Sequence, residues 1–201
     1  MPKSAAFYRS WMTYEPLYDA RLGEALKLAA DAFAHIPRKG TGIPYLSHLL
    51  AVSTMVMEYG GTADQCIAAV LHDYLEDIDG ASEAELATRF GANVAIYVRA
   101  LSDTTHSVAK EPWLERKQRY IAHLRGSSAE VRLICCADKI HNARSLLRDR
   151  RVLGDALFER FHATKEQTFW YYEEVVSALG EGWSHALLEE LRRDVEELIR
   201  E

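Results

Sequence analysis

Apolar residues recur along most of this chain at the three- and four-residue intervals of a helix face. The first such stretch runs from Leu17 to Phe33 and predicts an amphipathic helix over residues 15–35. The segment IPRKGTGI that follows contains Pro37 and two glycines, so it is predicted to be a loop. Ala and Leu far outnumber Val and Ile, which also favours helices over strands.

Start and stop signals divide the rest of the chain into further helices. Pro44 suits the first turn of a second helix, because its missing N–H would have no partner there, and Gly60 and Gly61 should end that helix. Capping boxes mark three more starts, at Thr62 with Gln65, Ser82 with Glu85, and Ser127 with Glu130. The first box opens a third helix that should run to Asp77. Later helices are predicted over residues 92–102, 112–125, 128–150, 153–179 and 182–200, and a long loop over 104–112.

We expect an all-α fold, a compact multi-helix bundle, because no alternating apolar pattern is long enough to require a sheet. The 201 residues suit one domain spanning residues 1–201, with no internal repeat or low-complexity linker. A hydrophobic content of 48% and a charged content of 27% are typical of globular proteins, which excludes an intrinsically disordered chain.

The charge and the apolar stretches exclude several functions. The chain has 24 Lys and Arg against 30 Asp and Glu, a formal net charge of −6 that argues against a general nucleic-acid binder but not against a local phosphate site. No apolar stretch approaches the ~20 residues of a membrane span, and the N-terminus lacks the apolar centre of a secretory signal. We therefore expect a cytoplasmic protein with no membrane or nucleic-acid partner, whose oligomeric state stays open. The cysteines, Cys66, Cys135 and Cys136, should be buried thiols.

The strongest chemical signal is the segment AAVLHDYLEDID on the predicted third helix. His72 and Asp73 are followed one turn later by Glu76 and Asp77, so all four would share one helix face. The residues around them are apolar, and burying such groups is costly without compensation. A bound cation would supply it; the alternative is a solvated acidic patch.

Two other segments place similar groups in apolar surroundings. His48 lies in PYLSHLLAV and Asp138 lies in RLICCADKIHNAR. The alternatives are a core histidine and a surface ion pair with Arg144. The combined set offers two imidazoles and two carboxylates, which suits Mn²⁺, Fe²⁺ or another first-row divalent ion: His48, His72, Asp73 and Asp138. The remaining carboxylates, Glu76 and Asp77, would then act on water.

Three ordered stretches resemble the HD-domain phosphohydrolase superfamily, named for its His-Asp doublet. They are RKGTGIPYLSHLLAV, AAVLHDYLEDI and CADKIHNAR. They look most like the stand-alone RelA/SpoT-type hydrolases, which remove the 3′-pyrophosphate of (p)ppGpp. The resemblance covers about residues 15–180, which leaves 182–200 as a C-terminal helix. It implies a helical bundle whose metal site lies between helices and usually holds Mn²⁺.

The resemblance also implies roles for individual residues. His48, His72, Asp73 and Asp138 match the metal ligands, and Glu76 and Asp77 match the acidic pair that distinguishes the alarmone hydrolases. Arg38 and Lys39 match the basic pair that holds the nucleotide, and Asn142 matches a substrate contact. The family members often carry His and Gln before the basic pair, where this chain has Phe33 and Ile36.

Other residues near these motifs have more than one possible role. We expect Lys117 to be a further cation for the substrate; the alternative is that Arg116, Lys117 and Arg119 form a solvated helix face. Lys139 should pair with a neighbouring carboxylate. His141 is interpreted as a core histidine, with a position next to the metal ligands as the alternative. The aromatic run at 169–172 is interpreted as core packing, with stacking on a purine as the alternative.

The leading functional hypothesis is a metal-dependent hydrolase that removes the 3′-pyrophosphate of guanosine 3′,5′-polyphosphates by means of a metal-activated water. A second hypothesis keeps the metal site and changes the substrate to another nucleotide or phosphate ester. A third, from a different class, is a helical regulator that binds a nucleotide without catalysis. The expected partner in each case is a small nucleotide or polyphosphate.

Overall fold

A computed structural model describes residues 18–103 and 112–200 of the chain. Within these ranges the structure is helical and contains no strand, apart from an isolated bridge between Pro37 and Pro44. The predicted all-α fold is therefore confirmed. The elements are α1 Ala20–Ala32, α2 Leu46–Glu58, α3 Ala63–Val70, α4 Tyr74–Asp77, α5 Glu83–Phe90, α6 Ala92–Leu101, α7 Trp113–Arg125, α8 Ala129–Leu153, a 3₁₀ helix Gly154–Arg160, α9 Lys165–Gly180 and α10 Ala186–Arg200.

Helix α8 is the central element of the fold. It packs against α2, α3, α6, α9 and α10, and every residue from Val131 to Asp138 is buried. A helix that is covered on all sides can hold a polar side chain away from water only if neighbouring elements supply its partners. The three cysteines are buried thiols, as predicted. None of the described helices combines the length and the apolar character that a bilayer span requires.

Most of the predicted helix boundaries are close to those observed. Thr62 and Gln65 form a complete capping box at the start of α3. The Ser82 side chain accepts the N–H of Glu85 at the start of α5. The predicted capping residue of α8, Ser127, is wrong by one position. Ser128 accepts the N–H of Val131, while the Ser127 hydroxyl donates to the Leu124 carbonyl at the end of α7. Two adjacent serines can both cap, and the C-terminus of α7 takes the first one.

The predicted continuous third helix is wrong. Helix α3 ends at Val70, a turn follows over residues 71–73, and the single turn α4 begins at Tyr74. The imidazole of His72 lies 2.8 Å from the Ala69 carbonyl oxygen through Nδ1. In a continuous helix that carbonyl would accept the N–H of Asp73. His72 and Asp73 therefore occupy an irregular turn and do not share a regular helix face with Glu76.

The predicted helix over 153–179 is also wrong, because Gly154 separates two elements. Helix α8 continues to Leu153 and ends at Gly154, whose φ of +60° strongly favours glycine. The 3₁₀ helix follows, and α9 begins only at Lys165, behind a second complete capping box formed by Thr164 and Gln167.

The remaining differences lie at the ends of elements. Helix α1 begins at Ala20, capped by the Asp19 side chain, and ends at Ala32; residues 15–17 of the predicted helix lie outside the described residues. Helix α2 begins at Leu46, two residues after Pro44. Residues 104–111 of the predicted loop lie outside the described residues, and α10 begins at 186, four residues later than predicted.

Candidate metal centre

Three elements bring the four predicted metal ligands together. His48 lies in the first turn of α2, His72 and Asp73 lie in the turn between α3 and α4, and Asp138 lies on α8. His48, His72 and Asp138 each offer one ligand atom, and these atoms lie within 4.8 Å of one another. Asp73 Oδ2 lies 2.9 Å from His72 Nε2 and 3.6 Å from His48 Nε2. The cluster is therefore compact, although its residues span 91 positions of the sequence.

The surroundings of His72 fit a cation at this position. Its Nδ1 lies against the Ala69 carbonyl, which can only accept, so Nδ1 carries a hydrogen, and the neutral form of the ring presents a lone pair at Nε2. Nε2 is buried without a hydrogen-bond partner, and the nearest carboxylate oxygens are acceptors too, at 2.9 Å on Asp73 and 3.7 Å on Asp138. Acceptor atoms that converge in this way require a positive charge between them. Two imidazoles and two carboxylates are a common ligand set for a first-row divalent ion.

The pKa values of the two imidazoles shift in opposite directions. Burial alone would lower the pKa of His72, but Asp73 and Asp138 outweigh burial and raise it well above the usual value. Burial dominates at His48 and lowers its pKa, although Asp138 opposes the shift. Without an ion, the cluster holds a proton on His72, and an ion that binds there would displace that proton.

Asp138 is fixed by two neighbours on its own helix. Its Oδ1 accepts a hydrogen bond from Asn142 Nδ2 at 2.5 Å and lies 3.2 Å from His48 Nε2. Its Oδ2 accepts from Lys139 Nζ at 2.6 Å, which confirms that Lys139 pairs with a neighbouring carboxylate. Burial opposes ionisation of Asp138, but Lys139 and the imidazoles keep its pKa well below the usual range. Arg144 forms salt bridges with Glu190 and Asp194 of α10, so the alternative of an Asp138–Arg144 pair is excluded.

Tyr45 is a contact that the sequence analysis missed. Its hydroxyl donates to Asp73 Oδ2 at 2.7 Å, and its ring stacks on Phe33 with centroids 5.3 Å apart. Phe33 is only 1% exposed. Phe33 therefore supports Tyr45 from the core side, and through Tyr45 it supports a predicted metal ligand.

The two remaining carboxylates, both on the short helix α4, differ in burial. Glu76 is half-buried and accepts the N–H of Asp103. Burial, and next the charge of Asp73, raise the pKa of Glu76 to about 7. Asp77 is exposed, and its N–H donates to the Asp73 carbonyl at 3.0 Å. Glu76 is thus a carboxylate whose protonation changes near neutral pH.

The loop between α1 and α2 places two predicted cations at the mouth of the cluster. Arg38 N–H donates to the Ile43 carbonyl at 2.8 Å, and Tyr45 N–H donates to the Ile36 carbonyl at 2.9 Å. This closed loop sets the Arg38 guanidinium 2.7 Å from Asn142 Oδ1 and 3.4 Å from His141 Nδ1. His141 is half-buried and lies 2.8 Å from His48, nitrogen to nitrogen, so it belongs to the surroundings of the centre rather than to an apolar core.

A cavity of about 240 Å³ opens beside this loop. Tyr45 and Asn142 line the cavity on the side of the metal ligands. Its charged lining residues are four bases and one acid: Arg38, Lys39, Arg148, Arg160 and Asp149. Phe161 and Tyr172 supply aromatic surface. Tyr172, from the run at 169–172, thus lines the cavity although it is buried, and Tyr171 is buried beneath it.

A second cavity of about 250 Å³ shares Lys39, Phe161 and Tyr172 with the first and reaches Arg116 and Lys117 of α7. Lys117 Nζ forms an ion pair of 2.6 Å with Asp103 and lies 5.0 Å from the Tyr171 ring centroid. Burial lowers the pKa of Lys117. The solvated-face alternative therefore fails for Lys117, while Arg119 is exposed.

Comparison with known proteins gives the family. The model of the HD domain matches residues 25–164. The chain belongs to the HD-domain family. A mouse relative, guanosine-3′,5′-bis(diphosphate) 3′-pyrophosphohydrolase MESH1, is 34% identical over 132 residues, which cover 64% of this chain and 71% of the relative. The human protein of that name is also 34% identical, with the same coverage. An Aquifex aeolicus guanosine-3′,5′-bis(diphosphate) 3′-pyrophosphohydrolase is 30% identical over 67% of this chain, but only 19% of its own length.

A solved structure extends the HD-domain match to nearly the whole chain. It is described as a metazoan ortholog of SpoT that hydrolyzes ppGpp, and it matches with a TM-score of 0.72 and 30% identity over 94% of this chain and 97% of the other. A Listeria monocytogenes protein matches in fold with a TM-score of 0.68 at 24% identity, over 77% of this chain.

Some residues of this HD-domain centre were beyond sequence reasoning. Tyr45 lies three positions before His48 in an apolar context, where a tyrosine needs no special role. Arg160 comes from the 3₁₀ helix that the predicted continuous helix obscured, and it lies against Gly40, where a Cβ would come within 2.8 Å of its side chain. The capping box at Thr164 was a signal that would have separated Arg160 from the helix that begins at Lys165.

Proposed function

We propose that this protein is a metal-dependent 3′-pyrophosphohydrolase that acts on guanosine 3′,5′-polyphosphates such as ppGpp. The observation that carries the proposal is the position of the His48, His72, Asp73 and Asp138 cluster beside Glu76 and at the edge of a basic, aromatic cavity. The names of the relatives support the same substrate. A cytoplasmic location stays a prediction.

The proposed metal ligands are His48, His72, Asp73 and Asp138, and the proposed ion is Mn²⁺, with Fe²⁺ or another first-row ion as alternatives. A bound divalent ion would lower the pKa of a water and polarise a phosphoryl oxygen. The buried carboxylates lose part of their mutual repulsion when the cation is present.

Glu76 is the proposed general base. In the metal-free protein the pKa of Glu76 is raised to about 7, so this carboxylate accepts a proton more readily than an ordinary glutamate and can take one from water and release it again within one turnover. Asp77, on the exposed side of α4, is proposed to orient the water. The attacking oxygen forms a bond to the phosphorus attached to the 3′ oxygen, the bond to that 3′ oxygen breaks, and the 3′ oxygen leaves with a proton. The products are pyrophosphate and a guanosine 5′-polyphosphate.

The proposed substrate contacts are Arg38, Lys39, Lys117 and Asn142. Arg38 and Lys39 line the first cavity, and Lys39 and Lys117 line the second. A nucleotide with phosphates at both its 5′ and 3′ positions needs two cationic sites, and the two adjoining cavities offer them. Tyr172 and Phe161 give each cavity an aromatic wall on which a base can stack.

The test is a product assay on the full chain with Mn²⁺. We expect ppGpp to yield pyrophosphate, and expect the Asp73→Ala variant to yield none. Release of orthophosphate from deoxynucleotides, with no pyrophosphate from ppGpp, would favour the phosphohydrolase with another substrate. Tight nucleotide binding without any product would favour the non-catalytic regulator.

A further inference from the structure

A short chain of polar contacts leads from the cavity to a metal ligand. Arg38 Nη1 lies 3.4 Å from His141 Nδ1, and the same nitrogen of His141 lies 2.8 Å from His48 Nδ1. The opposite nitrogen of His48, Nε2, points to the proposed metal position, 3.2 Å from Asp138 Oδ1. His141 thus stands between the guanidinium of a proposed substrate residue and the back of a proposed metal ligand.

Counting donors and acceptors fixes where the protons lie. A guanidinium has five N–H donors and no acceptor, so a hydrogen on His141 Nδ1 would face an Arg38 N–H across 3.4 Å, which favours the lone pair at that nitrogen. That same nitrogen faces His48 Nδ1, and two lone pairs at 2.8 Å would repel, so His48 Nδ1 carries a hydrogen and donates it to His141. A neutral imidazole with a proton on Nδ1 has its lone pair on Nε2.

The two proposed imidazole ligands therefore donate their Nδ1 hydrogens to different kinds of acceptor. His72 donates its Nδ1–H to the Ala69 carbonyl, which can only accept and needs no further control. His48 has an imidazole as its partner, and an imidazole nitrogen can either donate or accept. Arg38 disfavours the donating form of His141, because two N–H groups would then face each other across 3.4 Å.

We propose that His141, held as an acceptor by Arg38, is a positioning residue that fixes His48 in the tautomer whose Nε2 can bind the metal ion. The inference rests on the proposed metal site. It gives Arg38 a second role besides substrate binding, and it gives a role to a histidine for which the sequence pattern favours the core.

A purely structural role for His141 is the competing explanation, since its ring also packs on His48 with centroids 4.8 Å apart. Two substitutions separate the explanations. His141→Leu replaces the imidazole with an apolar side chain of similar size, and this removes the hydrogen-bond acceptor. His141→Gln restores an acceptor oxygen, which the donor Arg38 would again orient toward itself and His48.

The measurement is the dissociation constant of Mn²⁺ for the full chain by calorimetry, without nucleotide. We expect His141→Leu to weaken Mn²⁺ binding about ten- to a hundredfold, the usual effect of losing such a partner, and His141→Gln to stay within a few-fold of the wild type. Equal affinity in all three proteins overturns the proposal. If the wild type binds no divalent ion, the proposed metal site fails, and with it the proposed function. If it binds Mn²⁺ but hydrolyses no ppGpp, only the proposed function fails.

Nuclear magnetic resonance of the metal-free wild type provides a second test that does not depend on the folding of a variant. Long-range ¹H–¹⁵N correlation of labelled histidines reports which ring nitrogen of each carries the proton. We expect His48 to be protonated at Nδ1. A His48 protonated at Nε2 alone would overturn the proposal, because His141 would then not hold the Nδ1 hydrogen of His48.

Discussion

At the scale of single residues, Asp73 and Glu76 show how one short segment gives two carboxylates different chemistry. Asp73 lies 2.9 Å from the His72 imidazole; burial opposes its ionisation, but the positive charge on that ring lowers its pKa. Glu76 is one turn later, and burial, followed by the negative charge of Asp73, raises its pKa. One carboxylate is therefore suited to hold a cation and the other to exchange protons.

This division predicts different losses for two substitutions. Asp73→Ala removes a metal ligand, so the purified protein should lose its divalent ion and all turnover. Glu76→Gln keeps the shape of the side chain and removes the base, so it should retain the ion while kcat falls by about 10²- to 10⁴-fold. Elemental analysis and a pyrophosphate assay on both variants check the prediction. Loss of the ion in both variants would place Glu76 among the ligands.

The raised pKa of Glu76 also predicts how stability depends on pH. In the folded, metal-free chain the pKa is about 7, above the ordinary glutamate value, so the folded state holds this proton more tightly than the unfolded state does. The stabilisation from this group is complete at pH values below the ordinary pKa and is lost as the pH rises through about 7.

Between pH 5 and pH 8 in EDTA, the free energy of unfolding of the wild type should therefore fall relative to that of Glu76→Gln, whose side chain does not titrate. At ~1.4 kcal/mol per pKa unit, the relative fall is at most about 3 kcal/mol. Urea denaturation of both proteins at the two pH values measures it. Parallel pH profiles would mean that Glu76 ionises normally.

At the scale of elements, the periodic pattern predicted where helices lie but not where two of them are interrupted. The interruption after Val70 depends on a contact between the His72 ring and a backbone carbonyl, and nothing in the local sequence requires it. The interruption at Gly154 had a readable signal, since a glycine followed by the capping pair Thr164 and Gln167 is typical of one helix ending and another starting.

The candidate site likewise contains residues that could be predicted from the sequence and residues that could not. His48, His72, Asp73 and Asp138 could be predicted because polar groups in apolar runs are costly and need a shared explanation. Tyr45, Arg160 and the contact of His141 with His48 could not, because they depend on how the loop between α1 and α2 closes against α8 and the 3₁₀ helix.

Two glycines offer a matched test of the element boundaries. At Gly154, φ is +60° and ψ is −152°, a conformation that is essentially restricted to glycine, so Gly154→Ala should destabilise the fold by ~1–3 kcal/mol. Gly23 lies exposed inside α1 with open space at its Cβ position, so Gly23→Ala should stabilise the fold by ~0.5–1 kcal/mol. Chemical denaturation gives both values. A neutral or stabilising Gly154→Ala would show that α8 can continue past residue 154.

At the scale of the whole molecule, the net charge of the protein differs in sign from the local charge at the cavity. The net charge of −6 includes Asp73 and Asp138, which face the interior. Lys139 lies against Asp138, and the first cavity is lined by Arg38, Lys39, Arg148 and Arg160 with only Asp149 opposite them. An acidic protein thus presents a basic entrance to an acidic centre, which suits a polyphosphate that must approach a cation.

The proposed ion would also join three parts of the fold, since its ligands come from α2, from the turn between α3 and α4, and from α8. These elements already pack through the apolar core, so the metal-free chain should fold, and an ion that binds only the folded state should stabilise it further. At free Mn²⁺ one hundred times its dissociation constant, the gain is ~2.7 kcal/mol. For a protein of this size that corresponds to a rise in Tm of roughly 5–10 °C. Thermal unfolding in EDTA and in Mn²⁺ measures the shift, and Asp73→Ala should show little of it. An equal shift in Asp73→Ala would mean that Mn²⁺ stabilises the protein from another site.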